Sequence, residues 1–385
     1  MLVDFADELF TFLPAGAAAA IRADLGLSYA GAGLVLAMLS AGGFLGMFAK
    51  SAADFVSRRA LAAGGALVYG LCMIGFAVGH SFWVLVVAAF LWGAASDAFL
   101  YSAQLALSEL AGDDLDATLA RTNLFGSIGD LLGPVVLTVA VATGLGWRPL
   151  FAVGGVLMLG YAAVLARQPL PAPAPDGASP WSVARAVLAD RRVWVLALAL
   201  GLLATLDEPF LGFLIASIEA RGLSAAVATA LAGSVVVGSI AGFTLLAGWG
   251  ERIRGRGRAG VLGAGAILAG SVVLVAAPTP LLIAPAGVVS GAGIALVWVV
   301  LQAALLRLRP GQAGTTEAVA SLLASFELLV PPAIGAVADA AGLHRAMWCY
   351  VAISLLLLAV LVRPDRRILR SVRAWTTASG SRSRR

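Results

Sequence analysis

The chain has 385 residues, of which 61% are hydrophobic and 12% charged, with a formal net charge of +5 at pH 7. Soluble domains carry roughly 25% charged residues, so this composition excludes a soluble enzyme and a globular domain with a single anchor. The net positive charge does not indicate nucleic-acid binding, because the arginines cluster between long apolar runs. The composition predicts a polytopic all-α membrane protein.

Twelve apolar runs predict twelve transmembrane helices, arranged as six helices, a linker and six helices. We expect residues 1–167 to form one six-helix bundle and residues 193–363 to form a second, pseudo-symmetric one. The predicted helices cover residues 2–22, 29–49, 60–79, 82–107, 119–143, 149–166, 193–217, 224–248, 259–277, 280–306, 315–338 and 345–363.

Two segments lie outside the predicted bundles. Residues 168–192 begin as a proline-rich, extended linker and continue from Trp181 as a short helix that we expect on the membrane surface. Residues 364–385 form a basic tail, which we expect to be cytoplasmic and to contact anionic lipids of the inner leaflet.

The distribution of Lys and Arg predicts the orientation in the membrane. When both ends and the even-numbered loops are assigned to one side, that side collects all but four of the 26 basic residues. The positive-inside rule then puts both termini in the cytoplasm of a cell that carries the protein in its inner or plasma membrane. The four exceptions are Arg22, Arg148, Arg221 and Arg345.

The two predicted bundles are related by an internal repeat. Five matches occur in the same order at offsets of 196 to 198 residues, and such collinearity indicates duplication even though each match alone is weak. The matched pairs are Gly26 and Gly222, Gly42 and Gly238, Gln104 and Gln302, Asp130 and Glu327, and Arg148 and Arg345.

Paired acids inside predicted helices are the main functional signal. Asp207 would lie roughly 20 Å along helix 7, near the middle of a ~30 Å hydrocarbon layer, where an ionised acid costs about 2.5–3.5 kcal/mol. Glu208 follows it, and Asp7-Glu8 is the counterpart in helix 1. Helix 1 has fewer residues before its acids, so we expect either a misplaced start or a helix that enters the membrane unusually deeply.

Two motifs give the chain its resemblance to a known family. The segment from Lys50 through Asp54 to Arg58-Arg59, between helices 2 and 3, is similar to the Gly-x-x-x-Asp-Arg-x-Gly-Arg-Arg loop of the major facilitator superfamily. Gly129 to Pro134 in helix 5 is similar to a motif of its drug–proton antiporters. The resemblance covers all twelve helices and implies secondary transport.

The resemblance also implies a conformational latch. In the family, the loop between helices 2 and 3 latches the cytoplasmic side through charge and helix-end contacts. The matching residues here are Asp54, Arg58 and Arg59, with Glu251 and Arg252 in the equivalent loop between helices 8 and 9.

The candidate substrate- and proton-binding residues are polar side chains in the predicted membrane helices. The helix prediction puts no Lys or Arg at the depth of the acids, so we expect acids that are neutral when dry and ionised when hydrated. The alternative is that some only join helices by hydrogen bonds; adjacent acids point about 100° apart, so a pair cannot face one cavity. The candidates are Asp7, Glu8, Asp97, Gln104, Asp130, Asp207, Glu208, Gln302 and Glu327.

These features predict a proton-coupled secondary transporter that works by alternating access, as a monomer, and exports a cationic or amphipathic small molecule. Uptake of a small polar or cationic nutrient is the alternative, and a membrane-embedded enzyme or sensor is a third hypothesis. We expect no cofactor, because Gly255-x-Gly257-x-x-Gly260 follows no strand, and no metal site, because His80 and His344 lack ligand spacing.

Overall fold

The computed structural model describes residues 1–173, 179–249, 256–276 and 279–362. Within these ranges the chain forms sixteen α-helices and no β-strand, which confirms the all-α prediction. The helices are α1 (Leu2–Gly16), α2 (Ala18–Leu25), α3 (Tyr29–Ala52), α4 (Arg58–Val78), α5 (Phe82–Ala111), α6 (Leu115–Ala142), α7 (Arg148–Leu165), α8 (Pro180–Leu188), α9 (Arg191–Thr205), α10 (Glu208–Glu219), α11 (Ala225–Trp249), α12 (Arg256–Ala276), α13 (Ile283–Leu308), α14 (Ala313–Ala324), α15 (Val330–Ala341) and α16 (Leu343–Val362).

Eleven segments of the described chain are long and apolar enough to cross a membrane, and they coincide with predicted helices 2 to 12. The first of them is Gly31–Ala52 and the last is Leu343–Val362. Predicted helix 1 is formed by α1 and α2, which meet at Ala17. The predicted twelve-helix architecture is therefore confirmed, with a first helix that is divided in two.

Predicted helix 7 is one span, but it is interrupted at its acids. α9 ends at Thr205, and Asp207, with φ −100° and ψ −116°, immediately precedes α10. Pro209 lies in the first turn of α10, where a helix makes no use of the N–H that proline lacks. The prediction of a continuous helix over 193–217 is wrong, because proline favours a new helix start inside the apolar run.

Predicted helix 11 is interrupted in a similar way. A 3-10 turn over Ser325–Leu329 separates α14 from α15, and Pro331 lies in the first turn of α15. Glu327 is part of this turn. The continuous helix predicted over 315–338 is therefore wrong, and Glu327, like Asp207, lies where the regular helical hydrogen bonding stops.

The chain divides into two compact units. Unit 1 consists of Met1–Val187 and Leu308–Leu322, and unit 2 comprises the remaining described residues. Most of α14, which belongs to the second repeat in the sequence, thus packs within unit 1. Because α14 packs within unit 1, residues from both repeats lie in one polar cluster. The predicted bundle boundaries stay predictions.

Unit 1 has an aromatic core between α4, α5 and α7. The Trp92 ring lies 5.0 Å from the Tyr69 ring and 5.5 Å from the Phe76 ring, measured between centroids. Phe76 stacks on Phe151 at 5.3 Å. All four side chains are fully buried, so they fix the three helices against one another.

Glycines allow the helices to cross with their backbones in contact. A Cβ at Gly42 of α3 would collide with the carbonyl oxygen of Phe90 in α5, and one at Gly93 would collide with that of Leu39. In unit 2, a Cβ at Gly238 of α11 would meet the carbonyl of a residue of α13 in the same manner. These glycines therefore allow close packing of the helices.

The linker contains the predicted short helix, α8. Val183 and Val187 are buried on one side of it, while Trp181 is 73% exposed on the other. Its position on the membrane surface stays a prediction. The predicted basic tail over 364–385 lies outside the described residues.

Arg148 holds the end of α4 in unit 1. Its Nη1 donates to the carbonyl oxygens of Ala77 and Gly79, both at 2.8 Å, and its Nε donates to Asp24 at 2.9 Å. In unit 2, Arg221 donates to two carbonyls near the end of α12 at 3.1 and 3.2 Å. A cation that pairs with the last carbonyls of a helix stabilises its end.

The substitution Arg148→Met should lower the melting temperature of the purified protein. It leaves two helix-end carbonyls without their donor, and hydrogen bonds to a charged group contribute about 1.5–3 kcal/mol each. Arg167→Met is the control, because Arg167 is exposed just after the end of α7 and donates to the carbonyl of Ala163 in the last turn of that helix. Equal melting temperatures for the two variants would contradict the role given to Arg148.

Candidate functional site

Helix α1 is held against α6 by glycines. A Cβ at Gly129 would lie 2.5 Å from the carbonyl oxygen of Phe5, and one at Gly133 would lie 3.0 Å from the Phe12 ring. Gly126, one turn earlier, faces the side chain of Glu8. Gly126, Gly129 and Gly133 therefore form the surface of α6 on which α1 packs. This packing positions the acids of α1.

Two acids of α1 are bound by neutral donors from α5. Asp4 and Asp7 lie about one turn apart and are 7% and 6% exposed. The Ser96 hydroxyl donates to Oδ1 of Asp7 at 2.6 Å, and Nε2 of Gln104 donates to Oδ1 of Asp4 at 2.8 Å. Asp4 is a residue that the sequence analysis missed, although its i, i+3 spacing from Asp7 was visible.

The backbone around Asp7 is held as well. The Tyr69 hydroxyl, from the aromatic core, donates to the carbonyl oxygen of Asp7 at 3.3 Å and lies 3.1 Å from the Thr11 hydroxyl. Asp7 is thus fixed from both α4 and α5, which limits the positions that its carboxyl group can adopt.

Asp97 of α5 has a basic partner. Its Oδ2 lies 3.5 Å from Nζ of Lys50, whose side chain is 5% exposed. The same Nζ lies 3.5 Å from the centre of the Tyr101 ring and donates to the Ser321 hydroxyl at 3.3 Å. The prediction that the acids lack basic partners is wrong for Asp97, because α3 extends to Ala52 and carries Lys50 in its last turn.

Gly46 makes room for this ion pair. A Cβ at Gly46 would collide with the side chain of Asp97. In the second repeat, Gly242 faces Ala295, which stands 198 residues after Asp97. Leu246 stands 196 residues after Lys50. The ion pair therefore belongs to the first repeat only.

A second missed residue is Glu317 of α14. Its Oε2 is buried and has no hydrogen-bond partner among the described residues. Ser321, which accepts a hydrogen bond from Lys50, lies one turn further along the same helix. Glu317 stands near the start of a predicted helix, where an acid is typical of a solvated end, so its position did not indicate burial.

The proposed latch residue Asp54 binds the start of α14. Its carboxylate accepts hydrogen bonds from the backbone N–H groups of Gly314 at 2.9 Å and Thr315 at 2.6 Å. Burial raises the pKa of Asp54, and these two N–H groups oppose the rise. The geometry is a helix-end contact of the kind that the resemblance implies, and the latch itself stays a prediction.

The other predicted latch residues differ in their surroundings. Arg58 is buried, donates to the carbonyl of Ala53 at 3.0 Å and forms an ion pair with Glu109. Arg59 is exposed. Glu251 and Arg252 lie outside the described residues.

Two of the remaining candidates belong to unit 1 and four to unit 2. Glu8 is half-buried on α1 and Asp130 is exposed on α6. In unit 2, Asp207, Gln302 and Glu327 are half-buried, and the side chain of Glu208 lies outside the described part of the chain. The Tyr350 hydroxyl donates to the carbonyl of Pro209 at 3.2 Å, just after the helix break. The binding roles predicted for all these residues stay predictions.

Comparisons with known proteins agree on one family. The sequence model of the Major Facilitator Superfamily matches residues 2–326. A crystal structure of the superfamily transporter FucP in the outward conformation matches with a TM-score of 0.74 and 16% identity, covering 94% of this chain and 98% of that one. The structure of the E. coli fucose:proton symporter FucP matches with a TM-score of 0.71 and 15% identity, covering 93% and 97%. No curated protein sequence matches significantly.

The substitution Gly46→Ala should destabilise the protein by displacing Asp97 from Lys50. Overpacking of this kind costs about 1–3 kcal/mol, which thermal melting in detergent would detect. Gly43→Ala is the matched control, because nothing lies within 4 Å of a Cβ built there. The double variant Gly46→Ala/Asp97→Ala should lose less than the sum of the single losses; strict additivity would contradict the contact.

The stability difference between wild type and Asp54→Asn should fall as pH rises from about 4 through the folded-state pKa of Asp54. A raised pKa means that the folded chain binds the Asp54 proton more tightly than the unfolded chain does. The protonated form therefore contributes stability that is present at low pH and lost as pH rises through the folded-state pKa. A difference that grows with pH would show that the two N–H bonds outweigh burial.

Proposed function

Because the chain belongs to the major facilitator superfamily, we propose that it is a proton-coupled transporter that exports a cationic or amphipathic small molecule by alternating access. The chain is a multi-span membrane transporter and not an enzyme. The proposal adds the substrate class, the direction of transport and the coupling ion.

The observation that supports export of a cation is the surplus of buried acids in unit 1. Asp4, Asp7, Asp97 and Glu317 lie on or beside α5 and α14, and two positive charges face these four acids: Lys50 pairs with Asp97, and the N-terminal ammonium group lies 3.5 Å from Asp4. Buried carboxylates without enough cations favour a cationic ligand. A surplus of acids therefore suits a positively charged substrate better than an anionic one.

Protons can neutralise the carboxylates of such a site when no cationic substrate is bound. A carboxyl group favours its neutral form when dry and its ionised form when hydrated. Asp7, held by neutral donors, can bind either a proton or a cationic group of the substrate but not both at once. This mutual exclusion is the basis on which proton entry would drive substrate exit.

Asp54 and the start of α14 supply a device for the conformational step. Two backbone N–H groups and a carboxylate at a helix N-terminus make a contact that forms or breaks as a unit. We place this contact on the cytoplasmic side, with both chain termini, in a protein that works as a monomer among the lipids of the cell membrane. Release of the latch would then accompany the change of access.

The second candidate function is proton-coupled uptake of a small polar or cationic nutrient. The solved structure of a fucose:proton symporter with this fold favours it, although at 15% identity the likeness shows the fold alone. Gln104 and Ser96 are donors that could also bind substrate hydroxyl groups once their acids are protonated.

The proposal also retains the other predicted candidates. Asp207 and Glu327 lie at helix interruptions, a feature of the binding sites of transporters with broken helices. The proposed set in the second repeat is Asp207, Glu208, Gln302 and Glu327, with Glu8 and Asp130 in the first repeat.

The variant Asp7→Asn/Asp97→Asn should abolish efflux of a cationic dye driven by a pH gradient in proteoliposomes. Neither position can then exchange a proton for a cation, so the pH gradient can no longer drive efflux of the dye. Dye fluorescence measures the efflux rate. Asp114→Asn is the control, since Asp114 is exposed in the 3-10 turn between α5 and α6.

Two other results would redirect the proposal. Dye efflux that is unchanged in the double variant would mean that these acids do not couple transport. Accumulation of radiolabelled polar nutrients inside the vesicles, with no dye efflux in the wild type, would favour the uptake alternative.

A further inference from the structure

Lys50 interacts with two acids that come from distant parts of the chain. Its ammonium group is 3.5 Å from Oδ2 of Asp97 on α5. It also donates to Ser321, which is one turn from Glu317 on α14. The Tyr101 ring covers Nζ at 3.5 Å from its centroid. The titratable groups that face Glu317 are Lys50, Asp97 and Tyr101.

The charges of this cluster do not balance when both acids are ionised. One ammonium then faces two carboxylates, and an uncompensated buried charge is strongly unfavourable. Asp97 is the acid in contact with Lys50, whereas Oε2 of Glu317 is buried with no hydrogen-bond partner among the described residues. The neutral form of Glu317 removes the imbalance, because an unpaired neutral carboxyl costs far less than an unpaired ion.

We propose that Glu317 is a proton-exchange residue, switched by Lys50 as its ammonium group moves between Asp97 and Glu317. The proposal rests on proton-coupled transport and names a residue and a partner exchange for it. In this structure Lys50 pairs with ionised Asp97, and Glu317 holds a proton. In the alternative state Lys50 pairs with ionised Glu317, and Asp97 holds the proton.

The exchange conserves charge in both states. Moving the ammonium group to Glu317 breaks the O–H bond of that carboxyl, and its proton passes to water. Asp97, now without a cation, takes one proton from water on its oxygen. The cluster keeps a net charge of zero throughout, so the exchange avoids the burial of a bare charge.

The surroundings of Lys50 suit a short movement. Ser321 already binds Nζ and lies on the same face of α14 as Glu317, because residues four apart on a helix are neighbours. Gly46 leaves the space in which Asp97 reaches Lys50. A tyrosine ring interacts favourably with the ammonium group without a fixed hydrogen-bond direction, so Tyr101 supports both positions.

Infrared spectroscopy of the purified full-length protein at neutral pH tests this switch without any substrate. The probe is the carbonyl stretch of protonated carboxyl groups, and ¹³C-labelled glutamate separates Glu from Asp signals. Glu317→Gln should remove about one protonated glutamate per molecule. Asp97→Asn should remove the same signal, because Lys50 then turns to Glu317 and ionises it.

The double variant Lys50→Met/Asp97→Asn should restore the glutamate signal, since no cation remains to ionise Glu317. Recovery of the glutamate signal in the double variant distinguishes a switch from structural damage. The comparison does not need Glu317→Gln, so it remains possible if that variant fails to fold. A glutamate signal that survives Asp97→Asn, or fails to return in the double variant, would overturn the proposal. Asp114→Asn should leave the spectrum of labelled glutamate unchanged.

The two proposals can fail separately. If the wild type shows no gradient-driven dye efflux but the glutamate signal changes as expected in the variants, only proton-coupled export is contradicted. Normal efflux with no protonated glutamate at position 317 would count against the switch alone.

Discussion

A carboxyl group among apolar side chains needs a donor, a cation or a proton, and the organisation of unit 1 follows from that need. Asp4 and Asp7 receive neutral donors from α5, and Asp54 receives two backbone N–H groups. Asp97 receives an ammonium group. Each arrangement requires a helix neighbour within hydrogen-bond or ion-pair distance, so the acids determine which helices must be adjacent.

Close helix packing makes these partners reachable. Gly42, Gly46 and Gly93 bring α3 against α5, and the glycines of α6 bring α1 into place. A methyl group at these positions would collide with the neighbouring helix. The same small residues that shape the fold therefore determine whether the buried acids are satisfied, so packing and electrostatics cannot be altered independently here.

The sequence was sufficient for the spans and the family, because length, hydropathy and the loop around Asp54 are local properties. It was not sufficient for the breaks at Asp207 and Glu327, since uninterrupted apolar composition conceals a proline-directed helix start. Lys50 was assigned to a loop because the predicted helix stopped three residues short of Ala52. Glu317 was missed because its partners come from residues far away in the sequence, and only the fold brings them together.

The position of Lys50 and Asp97 in the first repeat also bears on how the chain enters the membrane. Synthesis proceeds from the N-terminus, so α3 and α5 leave the ribosome long before α14 does. Asp97 therefore meets its cation within the three-helix segment α3 to α5, and the pair can be inserted together as a neutral unit. Glu317 arrives last, at a site whose positive charge is already neutralised. Biogenesis alone thus gives a reason for the lysine to stand in the first half of the chain.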